Sequence, residues 1–499
     1  MSEEKTPDAE PAKDKAAAAA DPKKNAPRPE RTVRTQHNFE AGDRRFQYTA
    51  TAGTLNLRDP KDEDTASLFY VAYTLDDVPD PTHRPVTFCF NGGPGSSSVW
   101  LQFGALGPKR VDIPDAVAVP PPPYLLIDNP QGILDRTDLV FLDPVGTGFS
   151  RAQGETEGKA FHSVADDAKS VARFIEQYLT RYQRWNAPRF LAGESYGTTR
   201  AAAVAWQLQE RGVALNGLAL LSLALNFKTF FFEPDNHLAH IMFLPSYAAV
   251  AWYHGRLAKQ PHTLAALLGE ARRFALDVYA PALMRGHGLD PARRTEVAAG
   301  LARLTGLDAA EIERRGLRLD YLWVAKQMLG AGRETVGRLD GRYRGPDDDH
   351  GDRMKRDPSF DAPYGAFTAA ANDHLRRTLR WDGDDAYEVI SVEVNQSWEW
   401  AQKGKMGYPD TAGDLARTML ANPHLKVLIG CGVFDLATPF MAAEYTADRL
   451  DVPADLRAHV TVTHYEAGHM MYFHEPSRVQ LRADLAAFYD AAAPQPHRA

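Results

Sequence analysis

The chain has 499 residues, with Lys+Arg 57 against Asp+Glu 65 and a formal net charge of −8. That balance provides no electrostatic footprint for nucleic acid or an anionic membrane surface, and the length exceeds the usual single domain, so a core carrying an insertion is expected. Cys89 and Cys431, the two cysteines, both fall in apolar runs and are expected as small core residues rather than a disulfide.

Residues 1–31 are rich in Lys, Glu, Asp, Pro and Ala and are expected to be a disordered tail. The alanine run Ala16 to Ala20 is too short and too weakly apolar for a signal peptide, and no stretch reaches membrane-spanning length. The chain as written is therefore expected in the cytoplasm. A leader upstream of such a spacer would suit a periplasmic or secreted enzyme. Phe46 to Thr51 and Ser67 to Tyr73 alternate like antiparallel leading strands. Pro85 to Phe90 is an apolar strand, Pro120 to Tyr124 a stiff polyproline spacer, and Asp138 to Leu142 another buried strand. Ser163 with Asp166 forms a capping box for a helix whose apolar face includes Val164, Ala168, Val171, Ile175 and Leu179. Leu215 to Leu225 is the next core strand. From about Phe230 to Asp385 the pattern turns helical and Arg-rich, which predicts a cap over the cleft. Its aromatic clusters, Trp252-Tyr253-His254 and Tyr321-Leu322-Trp323, and Trp398-Glu399-Trp400 beyond it, suit helix packing better than substrate pockets. The acidic run Asp347 to Asp352 lacks calcium-loop spacing and is expected as a solvated turn, so no metal is expected. Strands at His424 to Gly432 and Val460 to Tyr465 follow, and Ser477 with Gln480 is expected to cap a final helix packing Val479, Leu481, Leu485 and Phe488.

Three loops carry chemistry. Gly193-Glu194-Ser195-Tyr196-Gly197 lies between the strand Pro188 to Ala192 and a helix over Thr198 to Glu210 that Gly212 stops. Strand, Gly-x-Ser-x-Gly, helix is the nucleophile elbow, a sharp turn that projects the serine hydroxyl above the sheet. A serine so placed needs a base and an acid that orients it, in the chain order Ser, Asp or Glu, His. Asp435 follows the strand ending at Gly432, and His469 follows the strand ending at Tyr465. Both therefore lie where open α/β sheets keep their sites. His464 lies within its strand, His474 is next to the closing helix, and Asp448 and Asp451 end a polar stretch. The third loop, Asn91-Gly92-Gly93-Pro94-Gly95-Ser96-Ser97-Ser98, presents unobstructed N–H groups as an oxyanion hole requires, with Tyr196 N–H as the second donor. No Gly-Lys-Ser/Thr follows it, which excludes a phosphate-binding loop.

These blocks, with Asp143-Pro144-Val145-Gly146-Thr147-Gly148-Phe149-Ser150, resemble the serine carboxypeptidases and stand in that family's order from about Phe46 onward. The resemblance implies an α/β-hydrolase fold: a mostly parallel central sheet flanked by helices, with the core in 32–230 and 386–499 and a mainly helical cap in 231–385. It implies removal of C-terminal residues from peptides, without a cofactor, best under acidic conditions. Position by position, Ser195 is the nucleophile, His469 the general base and acid, Asp435 its orienter, and Gly93 and Tyr196 the oxyanion-hole donors. Asn91, Gly92 and Glu194 are then the groups that hold the substrate carboxylate, with Glu194 protonated because a buried acid facing another acid has a raised pKa.

Two positions depart from the family pattern. Cys89 stands where a Trp is common, and Ala105 where a second Glu commonly precedes Leu-Gly-Pro. Half of the acid network is missing, so a general serine esterase, amidase or acyltransferase remains the alternative, with a non-catalytic binding protein behind it. The expected partner is a peptide with a free C-terminus.

Overall fold

The computed structural model describes residues 28–258, 263–330, 332–347, 351–402, 404 and 406–493. The tail expected over 1–31 thus lies almost wholly outside the described residues. The fold is organised by one sheet. Its nine principal strands are β1 (Thr32–Ala41), β2 (Arg44–Arg58), β3 (Asp64–Leu75), β4 (Val86–Phe90), β5 (Asp138–Leu142), β6 (Arg189–Glu194), β7 (Gly217–Leu221), β8 (Lys426–Gly432) and β9 (Val460–Tyr465), in the order β1-β2-β3-β5-β4-β6-β7-β8-β9. The first three form an antiparallel meander joined to β5, and β5 through β9 pair in parallel. Parallel strands need crossovers that cover both faces of the sheet, and β4 and β5 are buried at every position accordingly.

Alternation along the strands sorts side chains into two cores. Phe88, Phe90, Leu191, Leu218, Leu220, Val427 and Ile429 join helices Val164–Arg181 and Tyr196–Glu210 on one face. Phe190, Ala192, Ala219, Leu221 and Leu428 face the other way, where the helix Glu475–Ala492 places Phe488 and Tyr489. The ring of Tyr489 lies 4.5 Å from that of Phe190. Cys89 and Cys431 are buried, free and on opposite faces of the sheet.

Helix boundaries follow local chemistry. Ser163 Oγ accepts from Asp166 N at 3.2 Å to open its helix, and Gly212 takes a left-handed φ of 76° after the C-cap at Arg211. The final helix differs from the expectation. It begins at Glu475, with His474 Nδ1 bonded to Ser477 Oγ, so Ser477 lies inside the first turn instead of capping it. Val479 is 50% exposed, because it falls on the face opposite Leu481 and Leu485.

Between Phe230 and Asp385 the chain folds mainly into helices, including Leu238–Tyr253, Pro291–Thr305 and Pro358–Asp373, with one hairpin of Glu334–Val336 against Arg344–Pro346. Asp347 corrects the expectation of a solvated acidic turn: it is buried and pairs with Lys326 at 2.6 Å. Residues 348–350 of that run lie outside the described residues. Among the described residues no helix is long and apolar enough to cross a membrane.

Candidate active site

The C-terminal ends of β4, β6, β8 and β9 deliver the Gly-rich loop, Ser195, Asp435 and His469 to one edge of the sheet. Ser195 sits at φ 60° and ψ −129°, between β6 and the helix Tyr196–Glu210. A non-glycine residue in this region is strained, and the surrounding close packing holds it there. A Cβ at Gly193 would lie 2.2 Å from Gly197 O, and one at Gly197 would lie 2.5 Å from Phe90 O. Both elbow glycines are therefore required by backbone approach. Gly92 is equally constrained, since a Cβ there would lie 2.4 Å from Tyr196 N. Gly93, Ser195 and Tyr196 share the wall of one cleft.

His469 Nδ1 and Asp435 Oδ2 are 2.6 Å apart, and both residues are buried. The carboxylate has four donors. Ala437 N and Thr438 N bond Oδ1 at 2.7 and 3.0 Å, while Thr438 Oγ1 joins the histidine at Oδ2, at 2.8 Å. Burial pushes the His469 pKa down, but the Asp435 carboxylate, with help from Glu194, outweighs it and holds the imidazole above its ordinary value. The rival histidines are engaged elsewhere: His464 lies against Glu444 and His474 against Ser477. Asp448 pairs with Arg457 on the surface.

Glu194 precedes Ser195 and is 3% exposed. Asn91 Oδ1 accepts from Leu101 N at 2.9 Å, which turns Nδ2 toward Glu194 Oε1 at 3.0 Å. Burial raises the Glu194 pKa to about 7, against the lowering pull of His469. Near neutrality the carboxyl is therefore poised between donor and acceptor.

The cleft beside Ser195 encloses about 360 Å³. Phe227, Phe230, Phe231 and Trp400 form an aromatic lining, and Tyr321, Arg338 and Arg353 stand on the insertion side. Tyr321 and Trp400 thus face the cleft, contrary to the packing expected for their clusters, whereas Trp323 and Trp398 are buried. Among the described residues no group of three His, Cys, Asp or Glu side chains could hold a metal ion.

Residues 43–257 match the model of a family described as serine carboxypeptidase. That stretch takes in the Gly-rich loop, the Asp143 to Ser150 block and the elbow, but not the loops of Asp435 and His469. The pheromone-processing carboxypeptidase KEX1 of Saccharomyces cerevisiae is 32% identical over 156 residues, covering 29% of this chain and 20% of that protein. Serine carboxypeptidase-like 36 of Arabidopsis thaliana is 30% identical over 133 residues, 26% of each chain. The matched stretch thus spans only 20% and 26% of the length of these curated relatives. The crystal structure of KEX1(delta)p, a prohormone-processing carboxypeptidase from Saccharomyces cerevisiae, superposes with a TM-score of 0.57 at 18% identity, covering 89% of this chain and 91% of that one. The fold is that of an α/β-hydrolase.

Two supports of this site have no signal in the sequence. Buried Arg200 bonds Asp167 at 2.8 Å and Asn91 O at 2.5 Å, which ties the elbow helix to the Gly-rich loop. More unexpectedly, a segment of the helical stretch between Phe230 and Asp385, residues 338–341, fastens both remaining loops. Leu436 N donates to Arg338 O, Gly341 N to Phe434 O, and His469 N to Leu339 O, at 2.9, 2.9 and 2.6 Å. Asp340 Oδ2 accepts from Gly468 N at 3.1 Å, and Asp340 also pairs with Arg342, which reaches Asp115. Gly468 is obligatory there, because its Cβ would lie 2.3 Å from Asp340 Cβ.

Loss of that fastening lets the imidazole drift from the serine. Asp340→Ala is expected to lower kcat about ten- to a hundredfold with KM nearly unchanged, on the scale of a catalytic group misplaced by 1 Å. Asp340→Asn, which keeps an acceptor for Gly468 N, is expected to recover most of the rate. Steady-state kinetics on an ester substrate, with thermal melting of both variants, check this.

Proposed function

We propose that the protein is a serine carboxypeptidase that removes C-terminal residues from peptides through an acyl-enzyme. The observation that carries the reading is the buried Glu194–Asn91 pair placed directly before the nucleophile. An endopeptidase or esterase has no use for a raised-pKa acid at that position, whereas a site that must read a carboxylate without a cation does.

In the proposed reaction Ser195 Oγ attacks the scissile carbonyl carbon while His469 Nε2 takes its proton. The oxyanion is held by the N–H groups of Gly93 and Tyr196. Collapse breaks the C–N bond as Nε2–H protonates the leaving amine, and water then releases the acyl group by the same route. Asp435 holds the Nδ1–H tautomer throughout. Protonated Glu194, the second N–H of Asn91 and the backbone of Gly92 hold the substrate carboxylate. The aromatic cleft beside Ser195 suits a large apolar side chain on the acyl residue.

One observation favours a broader acyl hydrolase. Ala105 stands in place of a second acid, and it is buried in the turn Leu101–Leu106. Comparing kcat/KM for one N-blocked dipeptide with an aromatic acyl residue, as its free acid and as its amide, at about pH 5 and pH 7.5 distinguishes the two readings. A carboxypeptidase prefers the free acid, and the preference fades at the higher pH as Glu194 ionises near 7. Equal cleavage of acid and amide at both pH values would establish the broader enzyme.

A further inference from the structure

The recognition set around Glu194 is incomplete by the family pattern, and the turn that carries Ala105 is closely packed. Leu101–Leu106 forms a buried turn of helix, and the ring of Tyr472 presses against it so closely that a Cβ on Gly104 would lie 2.4 Å from Tyr472 Cε2. Tyr472 is fully buried, three residues past His469 in the turn Met471–Phe473. Its hydroxyl lies near enough to the Glu194 carboxyl for each group to shift the pKa of the other, without a hydrogen bond like that of Asn91. Neither Tyr472 Oη nor Glu194 Oε2 has a hydrogen-bond partner among the described residues. Two buried polar atoms left open toward one another need a reason to be retained, since burying an unsatisfied polar group is costly.

We infer that Tyr472 stands in for the absent second acid: its hydroxyl donates to the Glu194 carboxyl and orients it, leaving the acid proton of Glu194 for the substrate carboxylate. The inference rests on the carboxypeptidase reading and deepens it. A phenol differs from a carboxylic acid in one useful way. Burial, reinforced by the nearby Glu194 charge, pushes the Tyr472 pKa well above its ordinary value, so it donates at every working pH. Of the groups facing Glu194 (His469, Tyr472, Asp435 and Asn91), none is a second Glu, and His469 serves the free acid and the amide alike, so its titration cancels in their ratio. Recognition of the carboxylate then follows a single ionisation, that of Glu194.

The test is Tyr472→Phe, which keeps the ring in contact with Gly104. Wild type and variant are compared on the free acid and the amide of the same N-blocked dipeptide from about pH 5 to pH 8, with the amide as internal reference. The acid-to-amide ratio of kcat/KM is expected to fall about five- to tenfold, the scale of one hydrogen bond, chiefly through KM of the acid. The Tyr472 contact lowers the Glu194 pKa. Its removal raises that pKa, keeps the acid protonated further, and moves the alkaline limb of the free-acid profile to higher pH. An acid preference in the wild type that Tyr472→Phe leaves intact, with the limb unmoved, overturns this inference alone, as does an equal loss on acid and amide. A wild type without any acid preference overturns the carboxypeptidase reading and this inference with it.

Discussion

Ser195→Ala is expected to lower kcat/KM by about 10⁵-fold or more, the scale seen when the nucleophile of an acting triad is removed, while thermal unfolding stays within a degree or two of wild type. The second half follows from the backbone. Ser195 N donates to Leu221 O and Ser195 O accepts from Thr198 N, at 2.9 and 2.8 Å, and alanine preserves both bonds. It also preserves the Cβ, so the strain at φ 60° is carried equally by both residues. The side chain contributes nothing to the helix that follows, for which it forms no capping hydrogen bond. A serine in so unfavourable a conformation, unused as a cap, is held for its hydroxyl. Steady-state hydrolysis of an activated ester, with phosphonate labelling of the wild type at Ser195, checks this. A variant retaining a tenth of the wild-type rate would remove Ser195 from the mechanism.

How much of this was legible in the sequence depends on how local the determinant is. The elbow, the Gly-rich loop and the two strand ends each announce themselves within about ten residues, through apolar runs that stop at glycine. That was enough to single out Asp435 and His469, which the structure brings to 2.6 Å. The same local logic misread the final helix: Ser477 with Gln480 matches a capping box, but His474 and Glu475 start the helix a turn earlier. Asp347 read as solvated because its partner, Lys326, lies 21 residues away with no pattern to link them. The fastening segment around Asp340 was invisible for the same reason. It lies in the least patterned third of the chain, and its role comes from backbone bonds to loops about 95 and 130 residues downstream. Tyr472 was passed over because the absent acid was sought at Ala105, whereas the neighbour of Glu194 arrives from the loop after β9.

Asp435→Asn is expected to cost about 10⁴ in kcat, with KM little changed and the fold retained. The reason lies in how the four donors divide. Oδ1 accepts two backbone N–H groups, from Ala437 and Thr438, which only an oxygen can do. An asparagine at this position must therefore place its carbonyl there and turn its NH₂ toward His469 Nδ1 and Thr438 Oγ1, the partners of Oδ2. An amide N–H facing Nδ1 makes Nδ1 the acceptor, so the ring proton moves to Nε2, where it blocks acceptance of the Ser195 proton. The electrostatics reinforce the tautomer. With the carboxylate gone, the interaction that outweighs burial at His469 is lost, and desolvation draws the imidazole pKa down. Since the base works in its neutral form, the acid limb of whatever activity remains should move to lower pH than in the wild type. Both effects are read from one pH series on an ester substrate, which leaves the ionisation of Glu194 out of the profile. A variant within tenfold of wild type, or an acid limb that moves upward, would mean that Asp435 does not orient His469.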